Sequence, residues 1–247
     1  MYKLAAALMF FTRIPLWKFI KVPEEHFKDV VNYWVVTGLL TSLVMAGTLW
    51  VSAKILPIPV AVICAIISRI ILTGALHEDG LADFFDGFGG GDSKERILAI
   101  MKDSHIGSYG TIALIFYFIT LYSLLVSLPV NIACCAILTG DPVNKYISSF
   151  ITRRLPYVRK AEDSKCKIVY PASGLIPILI GLIISISLLI VCLEPHFYIA
   201  VLASILIFYF LTLFMKTKIG GYTGDCCGAL FLLCELGFYF TIVIINT

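Results

Sequence analysis

The sequence predicts an all-α fold: a polytopic integral membrane helical bundle of about seven transmembrane helices, with an N-terminal interfacial helix. Three observations predict it. Of 247 residues, 60% are hydrophobic and 14% charged, where soluble domains average roughly 45–50% and about 25%. No Asp, Glu, Lys or Arg occurs in 30–53, 104–140, 168–193 or 195–215, and about 20 helical residues at about 1.5 Å each cross a hydrocarbon core of about 30 Å. The wealth of aliphatic and aromatic side chains also excludes disorder. No repeat, low-complexity tract or Pro/Gly/Ser linker divides the chain, so residues 1–247 read as one membrane-embedded domain.

Taken in order, Leu4 to Phe11 is too short to span and is followed at once by Arg13 and Pro15, with no small-residue cleavage site. An interfacial helix fits better than a signal peptide. Spans are expected near 30–53, 58–76, 108–128, 131–152, 173–193, 196–215 and 228–246, with Pro129 and Asn131 turning the chain inside the longest charge-free stretch. Seven spans put alternate loops on opposite faces. Sixteen of the nineteen Lys and Arg lie in the N-terminal segment and in loops 77–107, 153–172 and 216–227; of the others, Lys54 is in an opposite-side loop, and Arg69 and Lys145 lie inside spans. By the positive-inside rule the N-terminus and those loops face the cytoplasm and the C-terminus lies outside, in the cell (inner or plasma) membrane. The net charge of +3 reflects this topology, and no nucleic-acid partner is expected. The eight cysteines (64, 134, 135, 166, 192, 226, 227 and 234) form no C-x-x-C and sit mostly in apolar runs, as small apolar fillers.

The segment after the second span, His77-Glu78-Asp79-Gly80-Leu81-Ala82-Asp83-Phe84-Phe85-Asp86-Gly87, is the richest in acids. If it is helical from Asp79, then Asp79, Asp83 and Asp86 share one face. Stacked like charges repel and two glycines weaken the helix, so a divalent cation would offset the cost. Hard oxygen ligands suit Mg²⁺ or Mn²⁺, and Mg²⁺ is typically held by a few carboxylates together with substrate phosphates. A nucleotide-linked substrate follows; the plainer alternative is a solvated acidic loop that caps a helix. Gly89, Gly90 and Gly91 either offer N–H groups to phosphate or form a hinge.

Next, Lys94, Arg96 and Lys102 are placed to neutralise phosphate, and His105 to donate to it or move a proton, or else the cations are ordinary positive-inside flanks. Asp103 beside a helix entry either caps it or ligates a metal. The loop Lys218 to Gly228 has four glycines in nine positions and offers Thr223 and Asp225, either as ligands or as caps of the last span. Four charges fall inside spans, where each costs roughly 2.5–3.5 kcal/mol. Arg69, Lys145 and Glu235 share one depth, and Asp141 lies one turn deeper beside Pro142. Two arrangements satisfy them: a polar layer open beneath the acidic segment, or closed pairs, Asp141 with Lys145 and Arg69 with Glu235.

Three motifs resemble one family: His77-Glu78-Asp79-Gly80-Leu81-Ala82-Asp83 with Asp86-Gly87; Ile100-Met101-Lys102-Asp103-Ser104 with Ile106-Gly107; and Gly220-Gly221-Tyr222-Thr223-Gly224-Asp225. With Phe11-Thr12-Arg13-Ile14-Pro15, they are similar to the adenosylcobinamide-GDP ribazoletransferases, also called cobalamin 5′-phosphate synthases, in the same order from about residue 4 to 230. The resemblance implies an integral membrane transferase of cobalamin biosynthesis. It would move the adenosylcobinamide phosphate moiety from adenosylcobinamide-GDP to α-ribazole or α-ribazole 5′-phosphate, releasing GMP, with Mg²⁺ as cofactor. Its partners would be those two substrates and the lipid bilayer; homo-oligomers and other late cobalamin-pathway enzymes stay open.

On that reading Asp79, Asp83, Asp86 and Asp225 are expected to hold metal, and Asp83 with Asp103 or His105 to be catalytic. Arg96, Lys102, Lys145, Asn144, Thr223 and Gly90 are expected to contact substrate or phosphate. A CDP-alcohol phosphotransferase also opens its signature with Asp-Gly, but Asp83 stands where that signature wants Arg. A transporter would use Asp141, Lys145 and Glu235 as a relay, but leaves three motif-rich loops without a role.

Overall fold

The computed structural model describes residues 2–159 and 170–247. Lys160, Lys165, Cys166 and Lys167, counted above in a loop, lie outside the described residues. The described chain is helical, with no strand: α1 (Tyr2–Phe11), α2 (Trp34–Ser52), α3 (Ile58–Thr73), α4 (Leu76–Gly90), α5 (Lys94–Lys102), α6 (Ser108–Val126), α7 (Val130–Ser149), α8 (Ile151–Arg154), α9 (Leu175–Cys192), α10 (Ala200–Ile219) and α11 (Gly224–Asn246). A 3₁₀ helix over Glu24–Tyr33 runs directly into α2.

Among the described residues, five helical stretches are long and apolar enough to cross a membrane: Glu24–Ser52, α6, α9, Pro195–Ile219 and α11. A sixth forms if α3 and α4, bent by 89°, are one span. The remaining expected span is α7, which has 20 residues but carries Asp141, Asn144 and Lys145. It runs against α2, α9, α10 and α11 and is mostly buried, so its polar side chains meet protein and not lipid. The opposite case is α9, where Ile176, Ile183, Ile190 and Val191 stand exposed. An apolar exposed surface of that length suits hydrocarbon.

Two features position the site. Residues 77–90, placed in a polar loop that could turn helical from Asp79, form α4 together with Leu76. Gly74 and Ala75 both take left-handed backbone, with φ of 65° and 59°, and so turn the chain sharply between α3 and α4. For Ala this conformation costs roughly 1–2 kcal/mol, which the packing of α4 offsets. A Cβ on Gly80 would stand 2.9 Å from the Asp225 carbonyl oxygen, and one on Gly228 would stand 3.0 Å from that of His77. Helices α4 and α11 therefore cross backbone to backbone, as small residues permit.

The second is α1, the N-terminal helix that the sequence predicts. It docks on the bundle through Ala5, Ala6, Ala7 and Phe11, which are buried, and Lys3 pairs with Asp29 at 2.7 Å. The short Ala side chains let this amphiphilic end of the chain lie close over the α2–α4 junction.

Candidate functional site

The charges inside the spans form closed pairs. One nitrogen of Arg69 donates to both carboxylate oxygens of Glu235 at 2.8 Å, and another donates to the Tyr117 hydroxyl at 2.6 Å. The Tyr239 hydroxyl donates to Glu235 Oε1 at 2.8 Å. Lys145 lies 2.6 Å from Asp141 Oδ1, donates to Thr41 Oγ1 at 2.8 Å and sits over the Phe231 ring. Thr41 in turn donates to Asp141 Oδ2 at 2.7 Å. Of the two arrangements the sequence allows, the paired one is formed. Charge-assisted bonds of this kind are what buried ions need to offset desolvation.

A different set of charges lines open space. Between α1, the start of α2, α4 and the N-terminus of α11 lies a cavity of about 170 Å³. Its polar lining includes Asp79, Asp225 and Arg159, beside Gly224 and Gly228. The glycine crossing explains why Asp79 and Asp225 meet there, since it places the first turn of α4 against the first turn of α11. Arg159 arrives from a third segment. Val158 N–H donates to the Tyr222 carbonyl and Tyr222 N–H to that of Pro156, both at 3.0 Å. Gly221 has no room for a Cβ against Pro156 O, so only glycine permits this approach.

Arg159 donates to Asp225 Oδ2 at 3.2 Å and to the Leu98 carbonyl of α5 at 3.3 Å. Thr223 caps α11, accepting from Cys226 N–H at 3.3 Å, and lies 3.9 Å from the Met101 sulfur of α5. The free N–H groups and dipole of a helix N-terminus favour an anion. Arg159 adds a formal positive charge beside them.

The structure distributes the sequence-predicted residues unevenly. Asp79 and Asp225 share the cavity, and Asp83 lies one turn along α4 from Asp79. Asp86 does not line it. Its oxygens accept from Gly107 N–H at 2.7 Å and Gly110 N–H at 2.8 Å, so Asp86 ties down the N-terminus of α6. The Gly107 to Gly110 motif thus receives a carboxylate of the protein itself. Among the described residues no three His, Cys, Asp or Glu converge as a metal-binding group.

Asp103 and His105 come together, 2.6 Å apart, exposed and off the cavity lining. The His105 ring and its N–H hold the Asp103 carboxyl below its ordinary value. Arg96 and Lys102 are exposed on α5, and Gly90 is exposed at the end of α4. Asn144 donates to the Gly140 carbonyl at 2.7 Å within α7, and Lys145 belongs to the closed layer, so neither reaches the cavity. Thr223 is fully buried as a helix cap.

Sequence reasoning missed Arg159, which the positive-inside count absorbs, and the ring-bearing residues Phe11, Trp34, His77 and Tyr157 of the lining. The motifs containing His77 and Phe11 were the available signals; nothing local marks Trp34 or Tyr157. Burial also pushes the Tyr222 phenol, in the loop that carries Asp225, well above its ordinary value, so it stays protonated.

The family model described as "Cobalamin-5-phosphate synthase" matches residues 3–243. An adenosylcobinamide-GDP ribazoletransferase of Shewanella oneidensis is 37% identical over 247 residues, covering 97% of this chain and 93% of the relative. Proteins of the same name from Shewanella baltica (strain OS185) and Shewanella sp. (strain W3-18-1) are 37% and 36% identical, with 97% and 98% of this chain covered and 93% of each relative. No solved structure matches the chain.

Proposed function

From the premise that the chain belongs to the cobalamin-5-phosphate synthase family, we propose that it joins adenosylcobinamide phosphate, supplied as adenosylcobinamide-GDP, to α-ribazole or α-ribazole 5′-phosphate. The single observation carrying this reading is the convergence of Asp79, Asp225 and Arg159 on one cavity at the N-terminus of α11. That set suits a pyrophosphate: cationic and N–H donors for its oxygens, and two carboxylates for a cation. Mg²⁺ commonly binds one or two carboxylates and completes its shell with water and substrate phosphates, so this donor set fits Mg²⁺.

Asp79 and Asp225 would hold the ion, with Asp83 adjacent. Bound Mg²⁺ supplies charge neutralisation of the pyrophosphate and of the departing GMP. The protein's residues do the rest by positioning. Arg159 grips a phosphate oxygen, and Thr223 with Arg159 fixes the Asp225 carboxylate. A ribazole hydroxyl oxygen bonds to the corrin-side phosphorus, the bond from that phosphorus to the GMP oxygen breaks, and the hydroxyl proton passes to the Asp103–His105 pair. The ties from Arg159 to Leu98 and from Thr223 to Met101 hold α5 to segments that shape the cavity, and Asp103 follows its last residue, outside the lining itself.

Lys3, Lys18, Lys94, Arg96 and Arg159 all belong to polar segments on the side expected to be cytoplasmic, which supports an active site facing the cytoplasm, with the N-terminus inside and the C-terminus outside. The test is GMP release and corrinoid product by detergent-purified protein, with Mg²⁺ or EDTA, beside Asp79→Asn. Product only with Mg²⁺, and at least 100-fold less with Asp79→Asn at an unchanged thermal midpoint, is expected. Turnover unaffected by both EDTA and Asp79→Asn would overturn the metal site, and no turnover by folded wild type with either acceptor would overturn the transfer reading.

A further inference from the structure

The phosphate chemistry above uses one side of the cavity. The other side is made of rings. Phe11, Trp34 and His77 form a wall whose planes lie within 19° of one another, with centroids 5.4 Å (Phe11–Trp34), 6.0 Å (Phe11–His77) and 5.8 Å (Trp34–His77) apart. The Trp34 indole N–H donates to His77 Nε2 at 3.3 Å, fixing both rings and using a polar atom of each. Tyr157 and Tyr170, edge to face with each other, close the cavity from the loop side.

Size and polarity narrow what such a space takes. An apolar cavity of about 150 Å³ accommodates benzene, so a cavity of about 170 Å³ takes a flat heterocycle of one or two rings and excludes a macrocycle. Two flat bases belong to the proposed reaction, that of the acceptor nucleoside and the guanine of the donor. Guanine carries donors and acceptors around its edge, and burying them unpaired costs roughly 1–3 kcal/mol each. On the inner wall the Trp34 N–H and His77 Nε2 already bond each other and Phe11 has no polar side-chain atom, so that side offers few partners for such an edge, which favours the less polar base. Resting on the transfer reading above, we infer that the cavity bounded by Phe11, Trp34, His77 and Tyr157 is the slot for the flat heterocyclic base of the acceptor nucleoside, whose ribose then projects toward Asp79, Arg159 and Asp225.

Gly224 gives a way to fill the slot without disturbing the wall. It lines the cavity, its backbone is ordinary for an L residue, and a Cβ there would meet no atom within 4 Å. Trp34 gives the readout, because the other two tryptophans, Trp17 and Trp50, are 56% and 50% exposed and can be replaced by Phe. In detergent-purified Trp17→Phe/Trp50→Phe protein, α-ribazole 5′-phosphate alone is expected to change Trp34 emission saturably, and GMP at the same concentrations is not. Gly224→Leu is expected to weaken that response at least 10-fold and raise the acceptor KM by a similar factor. Gly224→Ala, which adds one carbon in open space, is expected to shift acceptor preference several-fold toward smaller bases, and serves if the Leu variant does not fold.

An emission change with GMP that Gly224→Ala weakens, while the acceptor gives none, would assign the cavity to the donor and overturn the inference. So would intact turnover with no acceptor-induced change in emission and an unchanged acceptor KM in both variants. Loss of the transfer reading has a separate signature: no turnover by wild type while the acceptor still binds and Gly224→Ala still weakens it.

Discussion

The two charged regions of this molecule share α11 and differ in what their groups face. In the buried layer, Glu235 has both oxygens on Arg69 and one also on Tyr239, and Lys145 is shared between Asp141 and Thr41. Around the cavity Arg159 and Asp225 are also paired, at 3.2 Å, but together with Asp79 they border open space. A charge in a membrane helix therefore marks function only when its surroundings leave room for something else. Both regions depend on α11, which carries Glu235 three turns below Asp225, so the closed layer holds the helix whose first turn shapes the site.

The comparison breaks first at the closed layer. Arg69→Met removes one partner and leaves Glu235 buried with an uncompensated charge, which costs about 3–5 kcal/mol; Glu235→Leu does the same to Arg69. Replacing both by apolar side chains of similar volume removes the desolvation cost as well and returns to within about 1 kcal/mol of wild type. Thermal unfolding in detergent of the two single variants and the double variant reads this. If the layer is purely structural, the double variant also keeps turnover; a stable double variant without turnover would make Arg69 or Glu235 part of the chemistry and erase the distinction drawn here.

A smaller effect sharpens the boundary of the site at Asp86. Its carboxylate satisfies two N–H groups at the entry of α6, so Asp86→Ala is expected to cost about 2 kcal/mol. Asp86→Asn retains an acceptor and should cost less. Turnover should follow the folded fraction in both. An Asp86→Asn protein with an unchanged thermal midpoint and no turnover would return Asp86 to the metal-holding set that its spacing suggests.

Asp86 also shows where sequence reading stops. Helical spacing correctly relates Asp79, Asp83 and Asp86 along α4, but it cannot know that the N-terminus of α6 arrives at one end of that row. The charge-free stretches read well as helices because length and apolarity alone decide whether a segment suits hydrocarbon. Residues 77–90 read as a helix only conditionally, because their acids and glycines are poor helix formers; packing against α11, α6 and α5 supplies what local propensity lacks. Gly80, one of the glycines that weaken α4 locally, permits the crossing that brings Asp79 and Asp225, 146 positions apart by number, onto one cavity. The buried pairs were legible, one through its i, i+4 spacing and the other through shared depth. Arg159 was not, because a cation in a polar loop has an ordinary topological explanation.

The smallest expected effect concerns the pair that lies on neither side of the comparison. Asp103 and His105 are exposed, and their bond holds the Asp103 carboxyl below its ordinary value. The carboxylate is thus the form favoured by the folded protein, and its interaction with His105 is lost as pH falls through the depressed value. His105→Ala removes the ring bond, so Asp103 titrates closer to an ordinary carboxyl. If the pair accepts the hydroxyl proton, the acid limb of the pH profile of kcat moves to higher pH in His105→Ala, with the thermal midpoint at neutral pH unchanged. An acid limb that stays in place would remove the pair from the reaction and leave proton acceptance to a carboxylate inside the cavity.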